Sequence, residues 1–312
     1  MDTGSRPLLP APKFFKVRAH ANPLSDSAAL DAPERPELMD WSTLYPRWMA
    51  APVPDGRRVE WVDIGCGFGG LVATLAQQFP QQTILGMEIR DKVSAAAMDR
   101  IVQLRAAAAG KPSPMASRAE AAGLPTFENV AVLRSNCMRT LPQFFVKGQL
   151  TKLCFCFPDP HFQEHAYRRR VISRGLLATY AYILREGGLL YTVTDVIDLH
   201  EWHVRHIEEH PLFERVSPEE ETAEHDPVVG AITRSTDESV KVAKVQGDIF
   251  VAVFRRVGDS AAGTAGASSF QTARQRAAAR ILTSSRATGR LLQSAAGVPC
   301  PTSLADALTI QA

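Results

Sequence analysis

The chain has 312 residues, with 35 Lys and Arg against 33 Asp and Glu, and 45% of it is hydrophobic. That composition supports a sizeable core, and a net charge of +2 neither requires nor excludes a nucleic-acid partner, because clustering matters more than the sum. The cysteines at 66, 137, 154, 156 and 300 form no Cys-x-x-Cys pair, and no apolar run reaches bilayer length, so a soluble, intracellular protein with free thiols is expected.

Residues 1–40 are rich in Pro, Ala and short polar residues and read as an extended or disordered arm, in which the alternating basic and apolar residues 13–18 are either a docking segment or a loop. A strand over 59–64 runs into a glycine turn at 65–70, followed by a helix over 71–79 that Pro80 ends. A second strand spans 83–88 and an Ala-rich helix 91–109, and then Gly, Pro and Ser without periodicity mark a loop insertion at 110–127. Strands at 130–133 and 153–157, a helix near 173–184, a strand at 189–194, a helix at 198–209 and a last strand at 247–254 complete the pattern. Strands alternating with helices require crossover connections, hence a mostly parallel α/β sheet covered on both faces. Residues 258–312 are poor in acids. Within them 270–292 is either a basic amphipathic helix or, the reading preferred, part of a tail without fixed structure.

The first strand, its glycine turn and the next helix form a site for a nucleotide-like ligand. The spacing is Gly65-x-Gly67-x-Gly69 rather than the G-x-G-x-x-G that seats a pyrophosphate, and Asp63 would repel a pyrophosphate. Asp63 suits a zwitterion bearing an ammonium and a sulfonium, such as S-adenosylmethionine. Glu88, ending the second strand, can accept from ribose hydroxyls in either kind of site. Asn136 either faces the adenine edge or forms a turn.

The apolar strand 153–157 runs into Pro158-Asp159-Pro160. Ligands of an open parallel sheet bind outside its carboxyl strand ends, so Asp159 lies where chemistry is expected, and the prolines restrict the loop around it. A fixed carboxylate accepts the two adjacent donors of guanine and stabilises the positive charge that follows alkylation at N7. The alternative for Asp159 is a simple turn cap.

Together, Asp-Ile-Gly-Cys-Gly-Phe-Gly-Gly (63–70), Ile-Leu-Gly-Met-Glu-Ile-Arg (84–90), Phe-Pro-Asp-Pro-His-Phe (157–162), Thr194-Asp195 and Ser-Thr-Asp-Glu (235–238) resemble the tRNA (guanine-N7-)-methyltransferases, over about 13–257. Residues 18–23 and 39–46 resemble the eukaryotic catalytic subunit. The resemblance implies a Rossmann-like class I methyltransferase fold with a seven-stranded sheet over 41–257. It further implies S-adenosylmethionine as donor, a variable-loop guanine of tRNA as substrate, a WD-repeat propeller protein as non-catalytic partner, and nuclear location. By motif position, Asp159 carries over as the catalytic carboxylate. Gly65, Glu88, Ile89, Asn136 and Cys137 carry over as cofactor residues beside Asp63, and Thr236 and Glu238 match a Thr-x-Glu element that closes over the cofactor and base. Asp195 is expected near the target base, and Arg90, Arg168, Arg169 and Arg170 at the RNA. The chain departs from the family at Gln163, where a Lys is usual, which predicts weaker or differently placed tRNA docking on this loop.

The histidines at 200, 203, 206 and 210 share one helix face and are expected on a solvated polar surface rather than around a metal. Two other functions compete: methyl transfer to a protein or small-molecule nitrogen, and a non-catalytic scaffold that binds the cofactor.

Overall fold

The structure, a computed structural model, describes residues 21–25, 30–50, 57–109 and 126–259. All of them belong to the unit Met1–Ala262, which is distinct from Gly263–Ala312. The 13–18 segment, nearly all of the 110–127 insertion and nearly all of the tail lie outside the described residues.

Seven strands form one sheet in the order β3-β2-β1-β4-β5-β7-β6. They are β1 (Trp61–Ile64), β2 (Ile84–Glu88), β3 (Val130–Arg134), β4 (Leu150–Cys156), β5 (Leu184–Thr194), β6 (Phe213–Arg215) and β7 (Phe250–Arg256). The first five run parallel, while β7 pairs antiparallel with both β5 and β6. This is the mostly parallel α/β architecture expected from the sequence. The helices are α1 (Gly70–Gln78), α2 (Asp91–Ala108), α3 (Cys137–Phe144), α4 (Arg174–Ile183), α5 (Ile197–Glu208), α6 (Pro227–Ser235) and α7 (Asp237–Lys244).

Successive strand residues point to opposite faces, so the sheet separates two apolar layers. One contains Val62, Leu85, Leu153 and Phe155, and the other Trp61, Val72, Ile84 and Val253. The strand order reverses between β1 and β4, which places a crevice outside their carboxyl ends.

The described residues before β1 pack against this body. Tyr45 is buried and its hydroxyl donates to the Ile84 carbonyl at 2.8 Å, while Trp48 Nε1 donates to Thr83 Oγ1 at 2.8 Å. Pro23 is buried, and the Asn136 amide donates to its carbonyl at 2.8 Å. On the other layer, Asp226 caps α6 by accepting from the Val228 N–H at 2.9 Å, and its second oxygen accepts from the Tyr191 hydroxyl, which in turn accepts from Lys152 Nζ. This chain ties the start of α6 to the middle of the sheet.

Candidate active site

Asp63 stands opposite Gly86 on β2 and Cys154 on β4, and is 2% exposed. Its Oδ1 has no hydrogen-bond partner among the described residues. Burial pushes its carboxyl up to about 7; the Cys156 thiol bonded to it opposes that rise and the Glu88 charge adds to it. The turn beyond it depends on glycine. Gly65, Gly67 and Gly69 have φ of 77°, 56° and 75°, in the left-handed region. A Cβ on Gly86 would stand 2.7 Å from Cys66 Sγ, so β2 needs its glycine for the turn to seat.

Glu88 is 3% exposed. Its carboxylate accepts from the Gly67 N–H at 3.2 Å, the Arg90 N–H at 2.9 Å and the Arg90 guanidinium at 3.1 and 2.9 Å. Arg90, expected at the RNA, therefore grips the acid at the carboxyl end of β2. Ile89 between them is half-buried. Asn136 is buried and caps α3, its side-chain oxygen accepting from the Met138 N–H at 3.2 Å. Cys137 follows it as the first residue of α3, its thiol held high by burial.

The α6–α7 junction reaches the same turn. A Cβ on Gly70 would lie 2.8 Å from the Ser235 carbonyl oxygen, so this junction rests directly on the start of α1. Thr236 is buried and caps α7 by accepting from the Ser239 N–H at 2.8 Å, whereas Glu238 is exposed and pairs with Lys241 at 2.7 Å.

After β4, Phe157 and His161 take φ of 50° and 44°, on either side of Pro158-Asp159-Pro160. Each such non-glycine residue costs on the order of 1–3 kcal/mol, so surrounding contacts must hold the turn in this form. Asp159 accepts from the His161 N–H at 3.3 Å and stands 3.6 Å from His161 Nδ1, with its side chain 27% exposed. Asp195 is exposed at the carboxyl end of β5. A two-turn 3-10 helix, Glu164–Arg169, follows the proline turn. Arg168 is exposed and Arg169 half-buried, but Arg170 is 4% exposed and points inward, a placement unlike the RNA-facing one expected.

The histidines of α5 do not form the solvated face expected. His203 is 1% exposed and bonded to Thr192 Oγ1 at 2.9 Å, and burial lowers its pKa to about 3. The ring centroid of His206 lies 3.9 Å from that of Trp202, and that of His200 5.6 Å from Phe250. His203 and His200 thus pack against β5 and β7, while His206 stacks within its own helix. No group of three metal-ligating side chains occurs among the described residues.

Residues 57–252 match the sequence profile of a family described as a putative methyltransferase. The tRNA (guanine-N(7)-)-methyltransferase of Homo sapiens is 48% identical over 265 residues, covering 80% of this chain and 89% of the relative. That of Lodderomyces elongisporus is 48% identical over 249 residues, covering 80% of this chain and 76% of the relative. The chain belongs to the tRNA (guanine-N7-)-methyltransferase family. Among solved structures, the 16S rRNA methyltransferase KamB is similar at 18% identity and a TM-score of 0.40, over 64% of this chain and 89% of that one. S-adenosylmethionine is the methyl donor of this methyltransferase, and the residues present fit it: Asp63 Oδ1 is a buried acceptor with no partner among the described residues, suited to a cationic ligand.

Proposed function

We propose that the chain methylates N7 of a variable-loop guanine in tRNA, as the catalytic subunit of a heterodimer with a WD-repeat propeller protein, in the nucleus. The observation carrying this reading is Asp159: a partly exposed carboxylate, bracketed by two prolines and two left-handed residues, at the carboxyl end of a strand beside the glycine turn. The relatives' names supply the tRNA and the guanine.

Bound S-adenosylmethionine supplies a methyl group activated on a sulfonium. Asp63 and Gly65 hold its charged end. Glu88 accepts from the ribose hydroxyls in competition with Arg90, while Ile89, Asn136 and Cys137 border the adenine, and Thr236 and Glu238 close the site. Asp159 accepts from the ring N–H and exocyclic amine of guanine, orienting N7 and favouring the charge that develops on the ring. N7 offers a lone pair without losing a proton, so no general base is needed. Asp195 borders the base, and Arg168 and Arg169 meet phosphates.

The test is transfer of labelled methyl groups to bulk tRNA, with and without the propeller subunit. Asp159→Ala is expected to lower transfer by about 100-fold or more while cofactor affinity stays within twofold. Cofactor binding by the wild type with no transfer to tRNA in either form would overturn the reading, in favour of a scaffold or of a methyltransferase for another nitrogen.

A further inference from the structure

Arg170 is the last of three consecutive arginines and the only buried one. Its Nε donates to the Pro160 carbonyl at 2.8 Å and its Nη2 approaches the His161 carbonyl at 3.5 Å. The guanidinium lies 3.8 Å from the centre of the Tyr167 ring and 4.5 Å from that of Trp202, and these two rings meet edge-on at 5.1 Å. Trp202 belongs to α5 and donates through Nε1 to the Ile172 carbonyl at 2.8 Å. Tyr180 of α4 donates to the Val171 carbonyl at 2.7 Å, which fixes the chain just beyond Arg170.

We propose that Arg170 is a positioning residue for methyl transfer, holding the Pro158-Asp159-Pro160 turn through the carbonyls of Pro160 and His161 while Tyr167 and Trp202 clamp its guanidinium. A planar fork supplies both the in-plane donors and the flat faces that stacking needs, which a lysine lacks. The two carbonyls lie immediately after Asp159, one of them on a left-handed residue. A turn of that conformation keeps its shape only while neighbouring contacts hold it. Because α5 begins two residues after Asp195, this contact of Arg170 with the two adjoining rings also joins the loop carrying Asp159 to the element that follows Asp195. The proposal rests on the reading of Asp159 given above.

The test uses the full-length chain, with and without the propeller subunit, bulk tRNA and labelled cofactor. Arg170→Lys is expected to lower kcat about 100-fold, the scale of a displacement near one ångström. Its KM for tRNA, the salt dependence of tRNA binding and its cofactor affinity should stay within twofold. Arg168→Ala, by contrast, should weaken tRNA binding and flatten its salt dependence. Trp202→Leu, which removes one stacking face, should lower kcat in the same direction and add little to Arg170→Lys. An Arg170→Lys enzyme with wild-type kcat overturns the proposal, as does one whose only loss is tRNA affinity with a flattened salt dependence. If Arg170→Lys loses cofactor binding, Trp202→Leu decides: wild-type kcat there overturns the proposal. A wild type that transfers no methyl to tRNA defeats the functional reading itself, whereas an active wild type with an unaffected Arg170→Lys defeats only the clamp.

Discussion

Asp63 lies between two strands with its proton retained to about pH 7, against an ordinary value of 3.8. A carboxyl whose folded value is raised stabilises the folded chain fully below its ordinary value, and that contribution is lost as pH rises through about 7. A cationic ligand has the opposite preference, since it needs Asp63 ionised. Cofactor affinity should therefore rise about tenfold per pH unit from pH 5.5 towards 7 and level off above it. Titration calorimetry across that range checks this, with Asp63→Asn expected to bind weakly and without the rise; a flat wild-type profile would refute the assignment. The positions of Asp63, Glu88 and Asp159 near the carboxyl ends of β1, β2 and β4 were legible in the sequence because each acid stands in or just after an apolar run that ends in a turn. The inward turn of Arg170 was not legible. Three successive arginines differ only in phase, and where the short helix ends at Arg170 the aromatic neighbours decide which one is buried.

The short helix Glu164–Arg169 connects the proline turn to α4, and Gln163 occupies its N-cap without a capping bond from its side chain. No capping bond is therefore lost in Gln163→Lys, at an exposed position beside the proposed RNA path. That variant should bind tRNA more tightly and steepen the slope of log affinity against log salt by about 0.7–0.9, one added phosphate contact. Filter binding at several salt concentrations reads both quantities, and an unchanged slope would show that this loop does not face phosphate. At this scale the parallel strands and long helices were legible from their spacing, but β6, α3, α6 and α7 were not foreseen. β6 is three residues of an edge strand, and α3 contains Pro142. The two helices after residue 226 take their places from caps, Asp226 and Thr236, and from contact with α1 rather than from a long apolar period.

Across the whole molecule, the sheet brings acids from β1 and β2 and from the segments after β4 and β5 to one end, while the Lys152–Tyr191–Asp226 chain secures the opposite layer. The cysteines follow the same geography. Cys66 lies in the glycine turn, Cys137 begins α3, Cys156 ends β4, and Cys154 faces inward in mid-strand. Burial raises the pKa of the four described thiols, and because Cys66, Cys137 and Cys154 are buried while Cys156 is half-buried, a thiol-reactive reagent attacks the first three only after the chain opens around them. The protein thus carries built-in clocks for its own breathing, some in the site and one in the sheet. Maleimide labelling followed by peptide mass mapping should find Cys66 and Cys137 reacting faster than Cys154, and slowed severalfold by bound cofactor that leaves Cys154 unchanged. A single common rate for Cys66, Cys137 and Cys154, indifferent to cofactor, would mean that the site opens only when the entire sheet does.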